Sequence, residues 1–292
     1  MKLATIQLED GPLETVRPAL IDPAAGRAWP LDAASGMLQL IHCWDAVKGQ
    51  IRRDGDGESL SEVRVLPPIP KPARNIFCVG KNYHDHAQEF ARSGYDTSAK
   101  PSASAIPKAP IIFTKAPECV VGHLDSVHYP TGVSEQVDYE AELGLVIGKG
   151  GRGISPEQAL DHIWGYTIIN DVTARDLQAR HQQWFLGKSM DTFCPMGPWI
   201  VTADEIRPDN LRVQCWVNGE LRQDGHTKDL IFDIPALIAT ISAGMTLNPG
   251  DIIATGTPAG VGIGFDPPRF LKPGDEVSIE ISGIGRLTNR IV

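Results

Sequence analysis

Glu140 and Glu142 stand two residues apart at the start of an apolar run, Val137-Asp-Tyr-Glu-Ala-Glu-Leu-Gly-Leu-Val-Ile147. Side chains alternate between faces along a strand, so both carboxylates point the same way. Acids on one face repel each other unless water solvates them or a cation bridges them, and hard divalent ions prefer oxygen ligands of this kind. A solvated strand edge is the plainer use of the same spacing. A third acid, Asp171, closes the apolar run Gly165-Tyr-Thr-Ile-Ile-Asn-Asp171. There it can complete a three-carboxylate site that leaves positions for water or substrate, as magnesium requires. It can equally cap the helix expected to follow.

A second group lies in Val79-Gly-Lys-Asn-Tyr-His-Asp-His-Ala-Gln-Glu-Phe90. If His86 opens a helix, Glu89 falls three residues on, on the same face, where it can orient and polarise an imidazole that takes a proton from water. The same residues allow two other uses. His84, His86 and Glu89 can ligate a transition metal, although their spacings are shorter than those of a cupin, and a His-rich turn can simply lie on the surface. Lys188 sits in Trp184-Phe-Leu-Gly-Lys-Ser-Met-Asp-Thr-Phe-Cys-Pro-Met-Gly-Pro198. A lysine among apolar groups is costly without an anionic partner, which suits it to holding substrate negative charge, unless it is an exposed loop residue.

Two glycine-rich stretches do not carry nucleotide chemistry. Gly148-Lys-Gly-Gly-Arg-Gly153 lacks the phosphate-loop spacing and its Ser/Thr. Thr255-Gly-Thr-Pro-Ala-Gly-Val-Gly-Ile-Gly264 follows a strand but leads to Pro267-Pro268 instead of a helix, so the dinucleotide fingerprint fails. A Gly-Thr loop at a strand end still offers a hydroxyl and backbone N–H groups to a carboxylate.

These residues need a scaffold, and the pattern predicts a β-rich α+β one. Short apolar or alternating runs over 75–79, 110–114, 141–147, 211–217, 251–255 and 276–281 are expected strands, most of them closed by turn residues. Asn218-Gly219 signals a hairpin, because both residues tolerate positive φ. Helices are expected over 37–48, over 156–163 with Ser155 as N-cap, over 172–180 and over 234–242. Regular βαβ alternation is missing, which argues against a doubly wound parallel sheet. Residues 1–70 end in Val65-Leu-Pro-Pro-Ile-Pro-Lys-Pro72, a stiff extended stretch, so a small N-terminal domain is expected before a catalytic domain over 71–292.

The 292 residues are 42% hydrophobic and 22% charged, ordinary values that exclude disordered, collagen-like and coiled-coil classes. The formal charge of -9 and the scattered Lys/Arg residues argue against nucleic acid or an anionic membrane as partner. No run approaches the ~18 apolar residues of a membrane helix, and Glu9 and Asp10 interrupt any leader core. Five scattered cysteines without a CxxC pair fit free thiols in a reducing compartment, so a cytoplasmic protein is expected.

Taken in order, Gly80-Lys-Asn-Tyr-His-Asp-His-Ala-Gln-Glu89, Asp138-Tyr-Glu-Ala-Glu142, Asn170-Asp-Val-Thr-Ala-Arg-Asp-Leu-Gln178, Gly187-Lys-Ser189 and Asp251-Ile-Ile-Ala-Thr-Gly-Thr-Pro258 resemble the fumarylacetoacetate hydrolase family over residues 72–292. The resemblance implies a mixed β-roll catalytic domain, usually dimeric. It implies a divalent ion, Mg2+ or else Mn2+ or Ca2+, on Glu140, Glu142 and Asp171. It further implies that His86 with Glu89 activates water, with Lys188 at the reacting oxygens. Arg175, Gln178 and Thr257 would bind the oxygens and carboxylate of a small dioxo or keto acid. The extra metal-binding aspartate of the animal hydrolase has no counterpart, because residues 79–83 contain no acid. The implied reaction is hydrolysis of a carbon–carbon bond in a 2,4-dioxo acid, such as an acylpyruvate or fumarylpyruvate, to pyruvate and a carboxylic acid. Oxaloacetate-type decarboxylation, 2-hydroxymuconate-type isomerisation and sugar-acid hydrolysis or dehydration are the alternatives on the same fold. A non-catalytic β protein with a structural ion is the alternative outside enzymology.

Overall fold

A computed structural model describes residues 1–8, 16–95 and 105–292. Glu9 and Asp10 lie outside the described residues. Among the described residues no helix is long and apolar enough to cross a membrane.

The architecture is α+β and rich in strands. The main sheet runs in the order Glu58–Ser59, Arg27–Pro30, Arg17–Asp22, Lys2–Leu8, Cys194–Thr202, Ile163–Asn170, Ala141–Ile147, Ile252–Ala254, Ile76–Gly80 and Ile111–Lys115. Val63–Leu66 also pairs with Lys2–Leu8. Pairing along this order is antiparallel except between Ile252–Ala254 and Ile76–Gly80, which run parallel. The sheet passes without interruption from residues 1–66 into the rest of the chain, through Lys2 opposite Val201 and Leu3 opposite Ile200. A five-stranded sheet, Glu220–His226, Arg212–Val217, Glu276–Ile281, Gly285–Ile291 and Ser126–Val127, packs nearby.

The two sheets read differently in sequence because they are buried differently. Ala141–Ile147 and Ile163–Asn170 are buried at every position, as befits central strands covered on both faces. Arg212–Val217 alternates, with Val213, Cys215 and Val217 inward. The Asn218-Gly219 turn holds both residues at positive φ (51° and 79°) between paired Val217 and Glu220, the geometry of a primed hairpin turn.

Of the expected helices, Met37–Val47 and Ile234–Ser242 form, the latter capped by Asp233, whose carboxylate accepts from the Ala236 N–H at 2.9 Å. Two expectations change. Residues Pro156–His162 wind as a 3-10 helix, with the Gln158 N–H donating to the Ser155 carbonyl three residues back. The Ser155 hydroxyl makes no cap. The helix expected from 172 begins at Arg175, because Thr173–Ala174 pairs with Val137–Asp138 as a short ladder and cannot also be helical. That ladder sets the first turn of the helix Arg175–Arg180 beside the carboxylates.

Candidate active site

The three acids converge because of register. Ala141 lies opposite Asn170 in the antiparallel pair, so Glu140 and Asp171 sit side by side just beyond the strand ends. The Asp171 N–H donates to the Glu140 carbonyl at 2.9 Å, and the Asn170 side chain accepts from the Glu140 N–H at 3.0 Å. Glu142, two residues into the strand, faces the same side. One carboxylate oxygen from each of Glu140, Glu142 and Asp171 lies within 4.8 Å of the others, and all three residues are buried. Asp171 does not cap a helix, since the next helix takes Ala174 as its N-cap residue. His84 is exposed and joins no ligand cluster among the described residues.

Cations surround two of the acids. Lys188 Nζ donates to Glu140 Oε2 and to Asp171 Oδ2, both at 2.7 Å. Arg175 Nη1 pairs with Glu140 Oε1 at 2.7 Å, and Arg175 Nε donates to Asp138 Oδ2 at 2.9 Å. Lys115 Nζ donates to Asp171 Oδ1 at 2.7 Å and also to the carbonyls of Val172 and Lys188. Burial pushes the Glu140 carboxyl up, but Lys188 and Arg175 outweigh it and hold the group below the usual carboxylate range. Burial pulls Lys115 down, and Asp171 more than restores its charge.

Glu142 is different. Its oxygen accepts the Gly256 N–H at 2.9 Å, and no cation pairs with it among the described residues. Burial first, then the charges of Asp171 and Glu140, push its carboxyl well above the ordinary value. Asp138, Glu140, Glu142 and Asp171 thus face Lys115, Arg175 and Lys188, leaving one carboxylate without a counter-charge. Three converging carboxylate oxygens with one negative charge unmatched fit a hard divalent ion. Gly256 makes its contact at φ +102°, and a Cβ there would come within 2.8 Å of Asn82 Cβ, so glycine is required.

This electrostatic arrangement predicts a pH dependence. A carboxyl whose folded-state value is raised contributes stability that is present below its unfolded value, about 4.3 for glutamate, and that is lost as pH rises through the folded value. A divalent ion replaces the proton on Glu142 and so offsets that loss. The rise in melting temperature on adding magnesium is therefore expected to grow from acidic to neutral pH. A magnesium effect that is flat with pH, or larger in acid, would contradict this assignment.

His86 and Glu89 lie on the helix His84–Arg92, which follows directly from the strand Ile76–Gly80. His86 is buried, and its Nδ1 meets Glu89 Oε2 at 3.1 Å. The other Glu89 oxygen accepts the Gly260 N–H at 2.9 Å, so the carboxylate is fixed at both ends. An ionised carboxylate only accepts, so Nδ1 donates to it and Nε2 is left as the basic nitrogen. His86 lines one cavity with Glu140, Glu142, Arg175, Gln178, Lys188 and Thr257. Arg175 Nη2 is buried there without a partner, a donor suited to a ligand anion. Gln178 Oε1 accepts from Arg175 Nη1 at 3.2 Å, and the Thr257 hydroxyl is held by Gln223 Nε2 at 2.7 Å. The candidate residues are thus assembled at one place, and the Gly-Thr loop supplies its N–H groups to Glu142 and Glu89.

Lys115, Asp138 and Gln223 support the site without having been singled out in the sequence. Asp138 accepts from Arg175 and from the N–H groups of Gly262 and Ile263. Its signal was available, since 138, 140 and 142 share one strand-like period of two.

Comparison with known proteins places this arrangement. The family described as fumarylacetoacetate (FAA) hydrolase C-terminal matches residues 75–292. The oxaloacetate tautomerase of Bacillus subtilis strain 168 is 56% identical over 234 residues, 80% of this chain and 74% of that protein. A fumarylacetoacetate hydrolase structure from Exiguobacterium antarcticum superposes with a TM-score of 0.82 at 41% identity, over 100% of this chain and 99% of that one. The maleylpyruvate hydrolase of Sphingobium sp. SYK-6, solved with manganese(II) and pyruvate, gives 0.79 at 31% identity with the same coverage. With over two thirds of its length in the match and the full fold shared, the chain belongs to the fumarylacetoacetate hydrolase family, an enzyme family that acts on small molecules.

Proposed function

We propose that this enzyme interconverts the enol and keto forms of a short 2-oxo acid of the oxaloacetate class, using a divalent ion on Glu140, Glu142 and Asp171. The observation that carries the reading is the placing of a buried, oriented imidazole in one cavity with Glu140 and Glu142, two members of the carboxylate triad. The choice of tautomerisation is supported by the 56% identity to the Bacillus subtilis tautomerase. Bound on the triad, magnesium or manganese would act as a Lewis acid toward the substrate's oxygens.

The chain's own residues account for the proton. His86 Nε2 takes a proton from the carbon between the two carbonyl groups, and returning it to oxygen gives the enol; the reverse order gives the ketone. Glu89 holds the tautomer that leaves Nε2 free and stabilises the imidazolium formed on the way. Arg175 Nη2 takes a substrate carboxylate, with Gln178 and Thr257 flanking it. Lys188 lies where negative charge grows on the 2-oxo oxygen, and a well-placed donor of this kind contributes on the order of 3 kcal/mol.

The same dyad can activate water, so hydrolysis of the carbon–carbon bond of a 2,4-dioxo acid is the second reading. It is supported by the likeness to maleylpyruvate hydrolase. The deciding experiment follows the ultraviolet enol absorbance of oxaloacetate and of acetylpyruvate with magnesium, with and without a chelator, alongside a pyruvate assay. Chelator-sensitive loss of the oxaloacetate enol without pyruvate is expected. Stoichiometric pyruvate from acetylpyruvate would favour hydrolysis, and pyruvate from oxaloacetate would favour decarboxylation.

A further inference from the structure

The cavity above the triad is closed on one side by aromatic rings. Trp184 lies edge-on to Phe113 at 5.2 Å between centroids and to Phe90 at 6.1 Å. Phe113 in turn carries the Lys188 ammonium 5.0 Å from its ring centre, and Phe90 carries that of Lys81 at 5.2 Å. Beneath the indole the backbone is bare: a Cβ on Gly80 would come within 2.3 Å of Trp184 Cζ3. The indole therefore rests directly on the end of the strand Ile76–Gly80. The space left is small, about 280 Å³.

Of the other walls, Phe113 and Phe90 carry the Lys188 and Lys81 ammonium groups on their rings, and most of the rest are buried polar or charged groups that hold or flank the triad. Trp184 differs from them. It is partly exposed, and the residues flanking it, His181, Gln182, Gln183, Phe185 and Leu186, are exposed too, so removing its ring opens the cavity outward without touching the acids or the His86–Glu89 pair. The geometry points to Trp184 as the residue that sets substrate length, restricting the site to short 2-oxo acids and rejecting those whose third carbon carries a ring or long chain. This rests on the reading that 2-oxo acids bind in this cavity, but not on which reaction follows.

Binding tests it separately from turnover. Calorimetric titration with pyruvate and with phenylpyruvate, in the presence of manganese, is carried out on the wild type, Trp184→Ala and Trp184→Phe. In Trp184→Ala the ratio of the phenylpyruvate to the pyruvate dissociation constant is expected to fall by at least about tenfold, the scale on which apolar pockets discriminate by size. Trp184→Phe is expected to fall between the two and carries the test if the alanine variant does not fold. An unchanged ratio in the folded variants overturns the proposal. If the probes bind as expected but no oxaloacetate enol is consumed, tautomerisation falls and the size limit stands. If neither probe binds the wild type, the site reading falls and the proposal falls with it.

Discussion

Replacing His86 by asparagine is expected to lower kcat for enol loss by about 10²- to 10⁴-fold, the usual contribution of a positioned acid–base group, while manganese affinity stays that of the wild type. The two halves of this expectation come from separate features. The His86 ring makes its hydrogen bond to Glu89 and not to the triad, so the ion's ligands are untouched. Asparagine has no group that titrates near neutral pH, so the proton has no carrier. Glu89→Gln isolates the positioning role. Glu89 accepts from both the His86 ring and the Gly260 N–H, and an amide, with one acceptor oxygen, cannot easily serve both donors. An unsatisfied buried group costs about 1–3 kcal/mol, which expressed in the transition state is roughly 5- to 150-fold in kcat. A decarboxylase has no need of activated water, so oxaloacetate decarboxylation that survives Glu89→Gln intact would exclude the roles assigned here. His86→Asn retaining most of its activity would place the base elsewhere.

The legible parts of the site were those encoded by local periodicity. Glu140 and Glu142 announce a shared face because strand spacing is two, and His86 with Glu89 do so because helix spacing is three to four. Asp138 obeys the same strand period, but its place against Arg175 depends on the short ladder to Thr173–Ala174. The shortened helix at Arg175 has the same cause: a two-residue ladder with a partner more than 30 positions away leaves no pattern in either segment. The parallel pairing of Ile252–Ala254 with Ile76–Gly80 was equally hidden, yet it brings the Gly256 and Gly260 N–H groups onto Glu142 and Glu89. Lys115 reads as the end of an ordinary apolar strand. Only the order of strands in the sheet puts it against Asp171, 56 residues on.

That hidden lysine leads to the largest expected effect on stability. Lys115 is fully buried, and its ammonium joins Asp171 Oδ1 to the carbonyls of Val172 and Lys188. In Lys115→Met the stem still packs, but Asp171 loses one of its two ammonium partners and the two carbonyls lose a donor. Breaking a buried pair from one side costs about 3–5 kcal/mol, which for a chain of this size is a fall in melting temperature on the order of 10 °C. The damage should depend on what else neutralises the cluster. With Lys115 gone, Arg175 and Lys188 are the cations left in ion pairs with Asp138, Glu140 and Asp171 among the described residues, and Glu142 stays unpaired there. A divalent ion then compensates a larger excess of negative charge than in the wild type. Magnesium is expected to raise the melting temperature of Lys115→Met by more than it raises that of the wild type, and the gap between the two proteins to narrow as magnesium is added. A parallel Asp171→Asn variant separates the contributions: it keeps the shape, removes the charge that Lys115 and Lys188 share, and should lose the magnesium response along with the activity. Should Lys115→Met melt with the wild type, or should magnesium stabilise both proteins equally, Lys115 would not be the anchor of Asp171 and the charge balance assigned to the triad would be wrong.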